Sequence, residues 1–80
     1  MTNKKIEDDI IAEVAKLFTV QHSELNKDTH FIKDLAATSN RMFALACIME
    51  ELFDIEITYA QVNSFNTVGD AITFIEANAG

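Results

Sequence analysis

Ser39-Asn40-Arg41-Met42-Phe43-Ala44-Leu45-Ala46-Cys47-Ile48-Met49-Glu50-Glu51-Leu52-Phe53 reads as one amphipathic helix. At about 100° per residue, Met42, Leu45, Ala46, Met49, Leu52 and Phe53 share a face, and that face should be core. Thr38 or Ser39 can cap its start by accepting a hydrogen bond from a free backbone N–H. A second stripe, Asn40, Phe43, Ala44, Cys47 and Glu51, lies away from the core face. It is less polar than an exposed stripe ought to be. Phe43 either anchors an outward apolar ridge or packs inward against the preceding connection.

Upstream, Ile6, Ile10, Val14 and Phe18 recur every four residues, with Ile11 and Leu17 widening the stripe. This predicts a helix from about Lys4 to Phe18 with acidic residues in its first turn, where the helix dipole favours them. A long, mostly polar connection runs from about Gln21 to Thr38, and Phe31, Ile32 and Leu35 should pin it to the core. Downstream, a short helical turn is expected between Thr58 and Asn63. Ile55-Glu56-Ile57 alternates like a strand but has no partner strand in so short a chain. Thr67-Val68-Gly69-Asp70 is a capping signal that opens a last helix to about Asn78, with Val68, Ala71, Ile72 and Ile75 inward. The fold class is therefore all-α: three main helices plus one short helix, a small four-helix bundle with a long loop between the first and second helices. Residues 1–80 make one domain, without repeat or linker.

Composition narrows the function. The chain has no proline and two glycines, too few turn residues for a many-turned β-sandwich. Thirteen acids face six basic residues, a formal charge of −7. Such a surface repels phosphate backbones and anionic lipid, so neither nucleic acid nor membrane is an expected partner. It suits basic patches on other proteins. Cys47 is the only cysteine, which leaves no internal disulfide and no regular metal-ligand spacing. No apolar signal segment follows Lys4 and Lys5 and no run is long enough to span a bilayer, so the cytoplasm is the expected compartment, and a monomer the expected state.

Three segments in register carry a resemblance. Asp34-Leu35-Ala36-Ala37-Thr38-Ser39 resembles the acyl carrier protein signature D-L-G-x-D-S-L. Glu50-Glu51-Leu52-Phe53-Asp54-Ile55-Glu56-Ile57 resembles the family's E-E-x-F-x-x-E-I stretch, and Phe65 to Ala71 resembles x-x-T-V-G-D-A. Phe31 and Leu35 match its F-x-x-D-L anchor. The resemblance implies that Ser39 receives 4′-phosphopantetheine from coenzyme A, with Thr38 and Asn40 flanking the attachment point. A phosphopantetheinyl transferase would attach it. The partners would be acyl-transferring and acyl-processing enzymes of fatty-acid, polyketide or related biosynthesis. A phosphodiester suits a helix start, where free N–H groups and the dipole favour an anion.

The chain departs from that pattern. Thr38 replaces the family's aspartate, Asn40 its leucine and Ala36 its glycine, while Arg41 and Ala44 stand where it keeps acids. Glu50 and Glu51 remain of the usual acidic recognition face. A specialised carrier is implied, whose partners grip Asn40, Phe43, Ala44, Cys47, Glu50 and Glu51. The alternative is an unmodified helical interaction module of the same fold. No catalytic constellation is visible: Cys47 lies mid-helix without an activating neighbour, and His22 and His30 read as loop residues. Asp54 and Glu56 lack the spacing and central glycine of a calcium loop, so no metal is expected. Met42 and Met49 are core residues whose adaptability suits the wall of an acyl pocket.

Overall fold

The computed structural model describes residues 3–78, which form five α-helices. They are α1 (Asn3–Phe18), α2 (Phe31–Leu35), α3 (Ser39–Phe53), α4 (Tyr59–Asn63) and α5 (Val68–Asn78). The three long helices and the short α4 stand where periodicity and capping put them. One core joins Ile10, Ile11 and Val14 of α1 to Met42, Leu45, Ala46 and Met49 of α3. Val68, Ala71, Ile72 and Ile75 of α5 complete it, as expected. No strand is described: Ile57 is buried and Glu56 exposed, but the segment has no partner.

Several expectations need correction. The helix α1 runs from Asn3, and its first turn carries no acid. Its acids instead pair along or across the helix: Lys4–Asp8 at 3.8 Å, Lys5–Asp9 at 3.0 Å, Lys16–Glu13 at 3.9 Å, and Lys27 of the following connection with Glu7 at 3.7 Å. Leu52 is 46% exposed rather than core. It lies at the edge of its stripe and lines a shallow groove with Glu13, Ile48 and Glu51.

The connection from α1 to α3 is not one long loop. It holds a 3-10 turn at His22–Glu24 and the five-residue α2. Two side-chain bonds start α2: His30 Nδ1 accepts from the Lys33 N–H at 3.2 Å, and the Asp34 carboxylate accepts from the His30 N–H at 2.7 Å. Phe31 is fully buried, tilted against Phe18 with ring centroids 6.3 Å apart. Burying a phenylalanine is worth about 1.5–3 kcal/mol. Ile32, one residue on, faces away and is 66% exposed, so it does not pin the connection. Leu35 is half-buried, and Leu25 adds a core contact that no periodicity announced.

The connection docks on the start of α5. A tight turn over Asn26–Thr29 is held by Asn26 N–H to Thr29 Oγ1 at 2.9 Å and Asp28 N–H to Asn26 Oδ1 at 2.7 Å. Helix starts leave N–H groups without intrahelical acceptors. Here Val68 donates to the Thr29 carbonyl and Gly69 to the Lys27 carbonyl, each at 2.9 Å, while Phe31 donates to Asn66 at 2.9 Å. Thr67 and Asp70 close the expected box: Asp70 N–H to Thr67 Oγ1 at 3.2 Å, and Thr67 N–H to Asp70 Oδ2 at 3.1 Å.

A Cβ on Gly69 would stand 2.9 Å from the Lys27 carbonyl oxygen. Alanine favours a helix interior over glycine by up to about 1 kcal/mol. The clash wins, because the oxygen that must move is backbone and holds the Gly69 N–H. Gly69→Ala should therefore cost about 1 kcal/mol net, lowering the thermal midpoint by roughly 4–8 °C. An unchanged or higher midpoint in a calorimetric scan would show that the connection yields freely.

Candidate functional site

Ser39 is the first residue of α3 and is exposed. Thr38, not Ser39, is the cap: it is extended (φ −101°, ψ 169°), its Oγ1 accepts from the Arg41 N–H at 3.2 Å, and its carbonyl accepts from Met42 at 2.9 Å. The Ser39 hydroxyl is thus not occupied by capping. The N–H groups of Ser39 and Asn40 precede the first intrahelical bond, at the positive end of the α3 dipole. The arrangement presents a primary alcohol at an anion-favouring helix start.

The segment before it is set by Ala36, which is left-handed at φ 54°, ψ 41°. Its N–H bonds the Ile32 carbonyl at 3.0 Å, and Ala37 returns to the Phe31 carbonyl at 2.9 Å, the double bond pattern that closes a helix C-terminus. A glycine is ordinarily preferred there because a Cβ crowds the backbone. Thr19 and Asp54 end α1 and α3 in the same conformation, at φ 57° and 56°. Arg41 reaches back from α3 to the Leu17 carbonyl at the end of α1. The cation therefore satisfies a helix C-terminus, where positive charge is favourable.

Beside Ser39 lies a cleft of about 100 Å³, lined by Ile32, Thr38, Ser39, Met42, Asn63 and Phe65 among others. Met42 takes part in its wall, while Met49 is buried in the core. Tyr59 opens α4 and is 57% exposed. The polar side chains of Asn63 first and Ser39 second hold its phenol below the usual 10.0, against a smaller opposing effect of desolvation. Sequence reasoning missed this group. Tyr59 and Asn63 are four residues apart on one helix, but their proximity to Ser39 is tertiary.

On α3 the second stripe faces outward. Asn40, Cys47 and Glu51 are exposed, Ala44 is half-buried, and Phe43 is 55% exposed, so it does not pack inward. Glu50 differs from Glu51: it is half-buried, and its Oε2 accepts from the Ile57 N–H at 2.8 Å, tying the α3–α4 connection. His30 serves as the cap of α2. Among the described residues, no group of three or more His, Cys, Asp or Glu side chains is placed to hold a metal ion. No described helix is long and apolar enough to cross a membrane.

No family model matches the chain. Whole-chain similarity is found with several proteins named acyl carrier protein. That of Sulfurovum sp. (strain NBC37-1) is 42% identical over 69 residues, covering 86% of this chain and 92% of the relative. That of Chlamydia felis (strain Fe/C-56) is 37% identical over 75 residues, covering 94% and 96%. That of Prochlorococcus marinus (strain MIT 9515) is 36% identical over 80 residues, covering both chains in full.

The geometry of Ala36 yields a prediction. A left-handed non-glycine residue costs about 1–2 kcal/mol, offset in part by the greater unfolded-chain freedom of glycine. Ala36→Gly should stabilise the fold by about 1 kcal/mol. Urea unfolding should move to a higher midpoint with its slope unchanged; a lower midpoint would show that Ala36 sits without strain.

Proposed function

Because the chain belongs to the acyl carrier protein family, we propose that it is a one-domain acyl carrier whose Ser39 hydroxyl accepts 4′-phosphopantetheine from coenzyme A. The observation that carries the reading is the division of labour at the start of α3: Thr38 makes the cap and leaves Ser39 exposed and free of the capping role. The residues fit the group. A phosphodiester on Ser39 would meet the free N–H groups of Ser39 and Asn40 and the α3 dipole. Once bound, the arm supplies a terminal thiol that holds acyl groups as thioesters.

On attachment, the Ser39 Oγ–phosphorus bond forms as a phosphorus–oxygen bond of the coenzyme A diphosphate breaks. The hydroxyl proton passes to a base of the transferase, and the adenosine bisphosphate leaves. The chain itself is not the catalyst: it presents the alcohol, and the transferase and the acyl-processing enzymes do the chemistry. With Thr38 in place of a carboxylate, the chain lends the transferase no negative side chain immediately before the serine. A monomer in the cytoplasm, serving fatty-acid, polyketide or related synthesis, is the setting we infer.

Partners are inferred to dock on the outward α3 stripe of Asn40, Phe43, Ala44 and Cys47, with Glu51 at its far end. Exposed aromatic surface is a common anchor of interfaces. Glu50 contributes charge while holding the Ile57 N–H.

Two experiments test these points. Incubation with coenzyme A and a transferase should add one phosphopantetheine to the intact mass of the wild-type chain and none to Ser39→Ala, whose helicity should persist; an arm on Ser39→Ala would refute the assignment. Phe43→Glu should leave the thermal midpoint within a few degrees, since surface changes fall within about 0.5 kcal/mol. It should also slow acyl transfer to or from the partner enzymes at least tenfold, a loss of about 1.4 kcal/mol. Undiminished transfer would end the docking proposal.

A further inference from the structure

The start of α2 is held by a reciprocal pair of hydrogen bonds whose two acceptors both titrate. His30 is extended at φ −94°, ψ 127°, and its Nδ1 accepts from the Lys33 N–H at 3.2 Å. The Asp34 carboxylate reaches back to accept from the His30 N–H at 2.7 Å. The usual caps, serine, threonine, asparagine and aspartate, keep their oxygen acceptor at neutral pH. An imidazole nitrogen accepts only while it carries no proton, so this cap requires the neutral ring with its hydrogen on Nε2. Histidine is also the side chain whose charge ordinarily changes between about pH 5 and about pH 8.

We propose that His30 is a proton-operated latch on α2, closed by the neutral ring and released when Nδ1 takes up a proton. A protonated Nδ1 is a donor, so two donors then face each other and the Lys33 N–H loses its acceptor. The one anion on α2, Asp34, already serves the His30 N–H. An imidazolium that draws on it weakens the second bond of the pair as well. The bond from the Phe31 N–H to the Asn66 carbonyl does not involve the ring, and Phe31 stays in the core. Release therefore loosens the first turn of α2 without unfolding the chain. Helix α2 ends at Ala36, three residues before Ser39. Where Ser39 is the acceptor, as read above, acid thus frees the stretch that presents its hydroxyl.

The charges around the ring come from three segments. Helix α2 itself carries Lys33 and Asp34, both exposed. The turn before it carries Asp28, exposed, and Lys27, paired with Glu7 of α1 at 3.7 Å. The stretch before α5 is bridged to His30 through Thr67. There the Asp70 carboxylate accepts from the Asn66 and Thr67 N–H groups at 2.8 and 3.1 Å. Among these charged side chains, that of Asp34 alone is hydrogen-bonded to His30.

The test follows amide hydrogen exchange of the full chain by NMR between about pH 5 and about pH 8, with protection taken relative to the unstructured rate at each pH. The Lys33 amide should lose about fivefold in protection as the His30 ring protonates, the population change of a lost cap. Its midpoint should match that of the His30 ring resonances. The Val68 amide, bonded to the Thr29 carbonyl, should keep its protection. His30→Ser supplies a cap that does not titrate, so the step should vanish while Lys33 stays protected. This variant retains His22, the other histidine, so a step that survives in it belongs elsewhere and overturns the latch. A Lys33 amide that holds its protection through the ring titration, or equal losses at Lys33 and Val68, overturns it too. On acidification, transferase labelling of the wild-type chain should fall relative to His30→Ser, by up to the same factor. A constant ratio overturns the consequence for Ser39. No labelling of either chain at any pH refutes the acceptor role of Ser39 instead, and the exchange data still decide the latch.

Discussion

The approach of the Lys27 carbonyl to Gly69 is the contact on which the site depends. Only a residue without a side chain lets the connection after α1 come so close to the start of α5. That approach lets Val68 and Gly69 find acceptors in the connection, and lets Phe31 reach the Asn66 carbonyl. Phe31 then fills the core beside Phe18, and α2 is anchored at its first residue. Ala36 turns the chain left-handed at the far end of α2, and three residues later Ser39 opens α3. Backbone geometry on α5 thereby sets the place of a serine thirty positions earlier in the sequence.

Much of this was legible in the residues. The four-residue recurrence of α1, the stripe of α3 and the Thr67–Asp70 box each reflect local physics: burial of one helical face, or a side chain closing its own turn. What was not legible depends on contacts between distant segments. Helix α2 is too short for periodicity and is capped by a histidine, which is not among the usual caps. Leu25 and Ile57 are core residues inside irregular chain, where no face exists to be read. Leu52 failed because the edge of a stripe is covered only if a neighbour reaches it.

The site was legible in part. A helix start at Thr38 or Ser39 followed from sequence, but choosing between them required the backbone: Thr38 is extended and Ser39 already helical. The same limit applies to Glu50 and Glu51. They are adjacent and chemically alike, yet one is half-buried and ties a connection while the other is exposed.

The ion pairs make the molecule electrically lopsided. Four lysines meet Glu7, Asp8, Asp9 and Glu13, so α1 and its tether cancel internally. The whole formal charge of −7 is left on the rest of the chain, from the α1–α2 connection to α5. A body whose charge is unevenly distributed has a preferred heading in an external field, and steering acts before any contact forms. Approaching a basic surface, it is drawn by the acids outside α1, among them Glu51 on the outward stripe of α3. Its first collisions are therefore already partly aimed, and raising the ionic strength takes that aim away.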